Sequence, residues 1–102
     1  MTKDAEKFLC ICYHDYLDRI KSGSSKTESN FFFKNYMNEN SHFSSWHEDD
    51  FSSVRRELSQ LGLLKTSVNG SFELTPNAIE YLENRFKSNI KELADIVSKF
   101  IP

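Results

Sequence analysis

Cysteine, histidine and acidic side chains are the groups of this sequence most suited to metal binding, and the first cluster of them is at Cys10, Cys12 and His14. If this stretch is helical, Cys10 and His14 share a face while Cys12 lies opposite. One helix alone therefore does not direct all three ligands at one ion. We interpret both cysteines as reduced, partly buried thiols and His14 as a surface residue, and we predict no metal site and no cofactor.

The second cluster is the run from His47 to Asp50, which precedes a predicted helix. Carboxylates in the first turn of a helix complement its dipole, which explains them without a metal ion. His47 has serines close by, but the chain has no Gly-x-Ser-x-Gly motif and no phosphate-binding glycine loop. The sequence predicts no catalytic residues, and we expect a protein that is not an enzyme.

Length and charge set the class of protein. The chain has 102 residues, 38% of them hydrophobic, and a net charge of −2. We expect one soluble domain over residues 1–102, with no stretch apolar enough for a membrane span or a signal peptide, and hence a cytoplasmic protein. The negative net charge weighs against strong nonspecific DNA binding, because phosphate neutralisation supplies most of that affinity.

Apolar residues that recur every three or four positions predict two helices, over Asp4–Lys21 and Phe51–Leu61. Ser45 and Glu48 have the spacing of a capping box at the start of the second helix. Its buried face is predicted to comprise Phe51, Val54, Leu58 and Leu61.

Two stretches between and after these helices are less regular. Phe31–Met37 is predicted as a short helix, although its three consecutive phenylalanines also suit a strand. Leu63–Val68 and Ser71–Thr75 flank Asn69-Gly70, which predicts a hairpin with a type I′ turn. Thr75-Pro76 then caps a helix that runs to the end of the chain, with a possible break near residues 87–89.

The order helix, helix, helix, hairpin, helix is that of a winged-helix domain. Within it, the run RRELSQLGLLKTSVNGSFELTPNAIEYLENRF (Arg55–Phe86) resembles the winged-helix pattern of a helix ending in Leu-x-x-Leu-Gly, a wing strand, a tight turn, Leu-Thr and a further helix. The segment LTPNAIEYLENRFKSNIKELADIV is also similar to the small bacterial YjcQ-type winged-helix family. The resemblance implies an α+β, mostly α, winged-helix fold in a small transcriptional regulator that binds double-stranded DNA.

In such proteins the helix before the hairpin commonly enters the major groove, and the wing contacts the DNA backbone. Arginine can hydrogen-bond guanine, glutamine can hydrogen-bond adenine, and serine and lysine can contact phosphate. The residues that the resemblance assigns to DNA are Ser52, Ser53, Arg55, Arg56, Ser59, Gln60, Lys65 and Asn69.

The charge of the same region favours a different function. The span Glu48–Thr75 carries five acidic and three basic residues, and the acidic ones begin the helix that would dock on DNA. Arg55 and Arg56 would then belong to an ordinary solvated helix face. A protein–protein interaction module on the same scaffold, without DNA binding, is therefore the alternative.

The C-terminal helix carries more apolar residues than one short helix requires. This stripe either folds back over the first helix and completes the core, or forms a homodimer interface, with residues 88–102 as an extension in both cases. The predicted interface residues are Phe86, Ile90, Leu93, Val97 and Phe100.

Overall fold

The structure is a computed structural model that describes residues 1–87 and 89–99. Within these residues it is an α+β fold, mostly helical, with one small antiparallel sheet, which confirms the predicted class. The helices are α1 (Lys3–Lys21), α2 (Lys26–Ser29), α3 (Tyr36–Glu39), α4 (Glu48–Gln60), α5 (Pro76–Phe86) and α6 (Ile90–Ser98), and the strands are β1 (Phe31–Phe32), β2 (Leu64–Thr66) and β3 (Phe72–Leu74). None of the helices in the described part of the chain is long and apolar enough to span a bilayer.

The first helix, α1, is the centre of the fold. It contacts α2, α4, α5 and α6, so it is buried on more than one side. Its start is tied to α4, since the Thr2 backbone N–H and hydroxyl both donate to the Glu57 carboxylate at 2.8 Å. The buried residues of α1 are Ala5, Phe8, Leu9, Cys10, Ile11, Cys12, Tyr13 and Tyr16.

The sheet has the order β1-β3-β2, and both pairings are antiparallel. Phe32 and Phe72 are paired residues on its buried face, and their rings stack at 5.1 Å. Phe31, which precedes Phe32 in the strand, lies on the other face. The prediction of a helix over Phe31–Met37 is therefore wrong for its first residues. Pairing with β3, about forty positions later in the chain, satisfies their backbone and overrides the local helical spacing.

An aromatic cluster joins the sheet to the helices. The ring of Phe8 on α1 lies 5.4 Å from Phe43, 5.0 Å from Phe51 and 5.5 Å from Phe72. Trp46, just before α4, packs edge-on against Phe43. The segment between α3 and α4, which contains a short 3-10 helix at Ser41–Phe43, thus packs on α1 through its aromatic rings.

The hairpin between β2 and β3 is confirmed, but its turn is not type I′. That turn needs positive φ at two residues, and no described residue other than glycine has it. Instead Gly70 N–H donates to the Ser67 carbonyl at 3.0 Å, and Ser67 N–H donates to the Ser71 carbonyl at 2.9 Å. The turn therefore spans Ser67–Gly70, and only Gly70 adopts left-handed backbone.

Two details of α4 differ from the predictions. Its N-cap is His47 and makes no side-chain hydrogen bond, so the capping box of Ser45 and Glu48 is wrong. Leu61 is 51% exposed rather than buried, because α4 ends at Gln60 and the chain turns away at Gly62. The dipole is complemented by the acidic residues of the first turn.

The C-terminal segment consists of two helices, as the possible break allowed. Thr75 caps α5 by accepting from the Ala78 N–H, and Pro76 is its first residue, both as predicted. Of the predicted dimer residues, Phe86, Leu93 and Val97 are buried within the single chain, where α6 packs against α1. Ile90 is 54% exposed, and Phe100 lies outside the described residues. The buried part of the stripe, Phe86, Leu93 and Val97, thus belongs to the core of one chain.

Candidate functional site

The predicted DNA-binding residues of α4 fall into two rows. The helix buries Phe51, Val54 and Leu58 against the core. Opposite this face, Ser53, Arg56 and Gln60 form an exposed outer row, at the spacing of one helix face. Ser52, Arg55 and Ser59 are half-buried and form a second row on one flank. The outer row is thus accessible to a ligand. The flank row is partly covered by neighbouring parts of the fold.

Arg55 is the most constrained member of the flank row. Its guanidinium carbon lies 5.4 Å from the centre of the Phe72 ring, a cation–π distance. Its Nε is buried and has no hydrogen-bond partner among the described residues. Burial lowers the pKa of the guanidinium from its ordinary value, without removing its charge near neutral pH. Arg55 is therefore a partly desolvated cation of α4 that packs against the sheet.

A groove of about 430 Å³ lies beside Arg55, between the start of α4, the segment that follows β1 and the wing turn. At one wall the wing approaches closely: a Cβ added at Gly70 would lie 3.2 Å from Lys34 Cβ. The sequence pattern did not predict Lys34 or the asparagines next to it as site residues. The only signal for them is the polar run that follows the three phenylalanines. The groove is lined by Lys34, Asn35, Met37, Asn38, Glu48, Phe51, Ser52, Arg55, Asn69 and Gly70.

The two predicted wing residues are partly committed to contacts of their own. Lys65 is well exposed, but its Nζ lies 3.9 Å from a carboxylate oxygen of Glu73 on β3. The Asn69 side-chain oxygen accepts from the Ser71 backbone N–H at 3.0 Å and from the Ser71 hydroxyl at 2.6 Å. That oxygen holds the turn. The wing therefore offers one weakly paired cation.

Acidic groups share this surface with the basic ones. Glu48, Asp49 and Asp50 are all exposed at the first turn of α4. Asp49 lies on the same helix face as Ser53 and Arg56. Around α4 and the wing, five anions outnumber four cations, so the described residues form no continuous positive surface: Glu48, Asp49, Asp50, Glu57 and Glu73 against Lys34, Arg55, Arg56 and Lys65.

The cysteines near the N-terminus lie away from this surface and inside the core. Both are fully buried, so they are more enclosed than predicted. Burial raises the pKa of Cys10 to about 12 and raises that of Cys12 well above its ordinary value. Neither thiol is positioned to react as a nucleophile at neutral pH.

The ligand-type groups that the structure brings together on α1 are His14, Asp15 and Asp18, within 4.8 Å of one another. The His14 side chain is 34% exposed, so it lies at the surface as predicted, and its Nδ1 lies 3.5 Å from an Asp18 oxygen. The Asp15 carboxylate accepts from the Tyr36 hydroxyl at 2.5 Å and from the Asn40 amide at 2.8 Å. Asp15 thereby anchors α3 to α1, which accounts for its position.

Comparison with protein-family models, with curated proteins and with solved structures finds no match for this chain.

Proposed function

We propose that this chain is a small winged-helix transcriptional regulator that binds double-stranded DNA through α4. The proposal is supported by the order of its elements. A helix, a short strand, a helical turn, α4 and a hairpin follow one another, and the first strand pairs with the last in a β1-β3-β2 sheet. In this arrangement α4 takes the place of the recognition helix and the β2–β3 hairpin that of the wing.

The observation that carries the proposal is the pair of cations in the groove between α4 and the wing. Arg55 has no hydrogen bond or ion pair to a described residue beyond its contact with the Phe72 ring, and both Arg55 and Lys34 line the groove. A DNA phosphate supplies the acceptor oxygens that these donors lack. We assign the flank row to the backbone and the outer row, Ser53, Arg56 and Gln60, to base edges.

The acidic first turn of α4 has a defined role in this proposal. Glu48, Asp49 and Asp50 repel phosphates, so they weaken binding to any duplex whose bases do not compensate. The protein would accordingly bind nonspecific DNA poorly and depend on base contacts.

The test is selection of duplexes from a random pool, followed by fluorescence anisotropy of the selected duplex at two salt concentrations. Arg56→Ala should weaken binding by about 1–3 kcal/mol and reduce the sequence preference at one base position. Lys34→Ala should weaken the binding of all duplexes similarly and lower the slope of log affinity against log salt concentration by about 1. Asp49→Asn should tighten nonspecific binding. Lys91→Ala, an exposed change on α6, is the matched control. Failure of every duplex to bind at low salt would overturn the proposal.

The second candidate is a protein-interaction module on the same scaffold. It is favoured by the exposed carboxylates of Glu48, Asp49 and Asp50 and by the absence of a continuous positive surface among the described residues. A homodimer is one form of it, and Ile90 is the exposed apolar residue of the predicted interface. Sedimentation equilibrium tests this form: a dimer that dissociates on Ile90→Asp supports it, and a monomer at every concentration excludes it.

A further inference from the structure

The outer face of the sheet carries an aromatic pair that the core does not use. Because residues alternate along a strand, Phe32 enters the core while Phe31 and Phe33 lie on the opposite side. Their rings meet edge to face at 5.1 Å, and Phe33 is 73% exposed. Aromatic side chains of this size are usually buried, so the pair is a candidate contact surface.

These rings line a cleft of about 720 Å³ between the end of α1, α2 and the sheet. Its charged lining residues are Glu28, Glu73 and Arg19, and it shares no lining residue with the groove beside α4. Glu73 is directly paired with Phe31 across the β1–β3 ladder, which places a carboxylate next to the aromatic pair. The cleft thus combines apolar ring faces with two carboxylates.

Arg19 is the only cation among the described residues that line the cleft, and it is committed to the backbone. Its Nη1 donates to the Phe31 carbonyl at 2.7 Å and to the Ser29 carbonyl at 3.1 Å. Its guanidinium also lies 4.5 Å from the centre of the Phe32 ring. Because Arg19 occupies a carbonyl on the open edge of β1, a partner strand cannot simply add there. Recognition at this cleft must use side chains.

A cation of the chain itself already approaches one of these carboxylates. The Lys65 Nζ lies 3.9 Å from Glu73, yet the Lys65 side chain is 78% exposed. An ion pair this open contributes little, so an incoming cation can replace it. The carboxylates and ring faces of the cleft therefore suit a ligand that is both positively charged and flat.

We propose that this cleft binds an arginine side chain of a protein partner. A guanidinium can stack on Phe33 and Phe31 while it hydrogen-bonds to the carboxylates of Glu73 and Glu28. Lysine fits less well, because its compact ammonium is strongly hydrated and does not stack. The cleft shares no lining residue with the groove beside α4 and meets the proposed DNA surface only through the Lys65–Glu73 pair, so the protein would contact a second macromolecule while α4 is occupied.

The test is a titration of the ¹⁵N-labelled full chain with the peptide acetyl-Gly-Arg-Gly-amide, followed by amide chemical shifts. We expect shifts concentrated at Phe31, Phe33 and Glu73. Binding should be at least about fivefold weaker for the same peptide with citrulline, the neutral isostere of arginine, and weaker for lysine. Equal shifts with the citrulline peptide would overturn the proposal, as would shifts confined to the acidic turn at Glu48–Asp50.

Variants test the same proposal from the side of the protein. Phe33→Ala and Glu73→Gln should each weaken binding of the arginine peptide by about threefold or more. The first removes a stacking surface and the second removes a charged acceptor. Phe33 is largely exposed, so its variant should keep the native shift dispersion elsewhere. Val68→Ala, at the fully exposed wing tip, is the matched control and should bind as the wild type does. Unchanged affinity of both cleft variants would overturn the assignment.

Discussion

At the scale of single residues, two glycines with left-handed backbone have different surroundings. Gly70 in the wing turn has φ +94°, and a Cβ there would lie 3.2 Å from Lys34 Cβ. Gly62 after α4 has φ +76°, but a Cβ there would meet nothing within 4 Å. The first position is thus constrained by both conformation and contact, and the second by conformation alone.

We therefore expect Gly62→Ala to lower the free energy of unfolding by about 1 kcal/mol and Gly70→Ala to lower it by about 2 kcal/mol, since left-handed backbone costs an L-residue roughly 1–2 kcal/mol. Urea denaturation followed by circular dichroism measures both. Gly62→Ala is the control for the conformational cost. Equal losses for the two variants would show that the approach of Lys34 to the wing contributes nothing.

At the scale of elements, α6 closes the core over α1. Leu93 is 1% exposed and Val97 is 3% exposed, although they belong to a short helix at the end of the described chain. The start of α6 is secured by Asn89, whose side chain accepts from the Glu92 N–H at 3.0 Å. Arg85 on α5 also reaches Glu92, with Nη1 donating at 3.0 Å. These contacts secure the first turn of α6 and join it to α5.

Truncation of the buried Leu93 side chain should therefore reduce the stability of the fold. We expect Leu93→Ala to lower the free energy of unfolding by about 2–5 kcal/mol, the range for large-to-small changes in a core. Ile90→Ala, on the same helix but 54% exposed, is the matched control and should cost much less. Thermal and urea unfolding give both values. If the Leu93 variant were as stable as the Ile90 variant, α6 would not be part of the core.

Which elements the sequence predicts depends on how local their causes are. Thr75 and Pro76 cap α5 through contacts within four residues, so the sequence predicts that start correctly. Strand β1 depends on β3, far along the chain: the three phenylalanines suited a strand as the alternative to a helix, but nothing near Phe31 identifies β3 as its partner. The type I′ turn fails because Asn69 uses its side chain to bond Ser71 and keeps negative φ.

The candidate site follows the same rule. Helical spacing predicts which α4 residues face outward, and Ser53, Arg56 and Gln60 are indeed exposed. It cannot predict that Arg55 lies over Phe72, because that contact depends on where β3 packs. Lys34 lies in the groove because it follows strand β1. Since that strand was predicted as a helix, Lys34 was not among the predicted site residues.

At the scale of the whole molecule, the core encloses several groups that are neutral only while they keep their protons. Tyr36 is buried beside Cys12 and Asp15, and burial raises its pKa far above the ordinary value of 10.0. Burial also raises the pKa of Cys10 to about 12 and that of Cys12 well above the ordinary thiol value of 9.0. In the unfolded chain the same groups lose their protons at the ordinary values.

Stability should therefore fall on the alkaline side. Since the folded pKa values are raised, the unfolded state holds fewer protons above about pH 9, and the free energy of unfolding falls with pH by up to about 1.4 kcal/mol per unit for each group that has titrated. The contribution is complete below pH 9 for the thiols and below pH 10 for Tyr36. Urea denaturation from about pH 8 to about pH 10.5, with a reductant present, measures the slope.

Cys12→Ala and Tyr36→Phe will each lower the stability at pH 8, but they should also flatten the slope of stability against pH, because each removes one titrating group. A stability that stays constant over this range, or variants that keep the wild-type slope, would mean that these groups ionise in the folded protein as readily as in the unfolded chain.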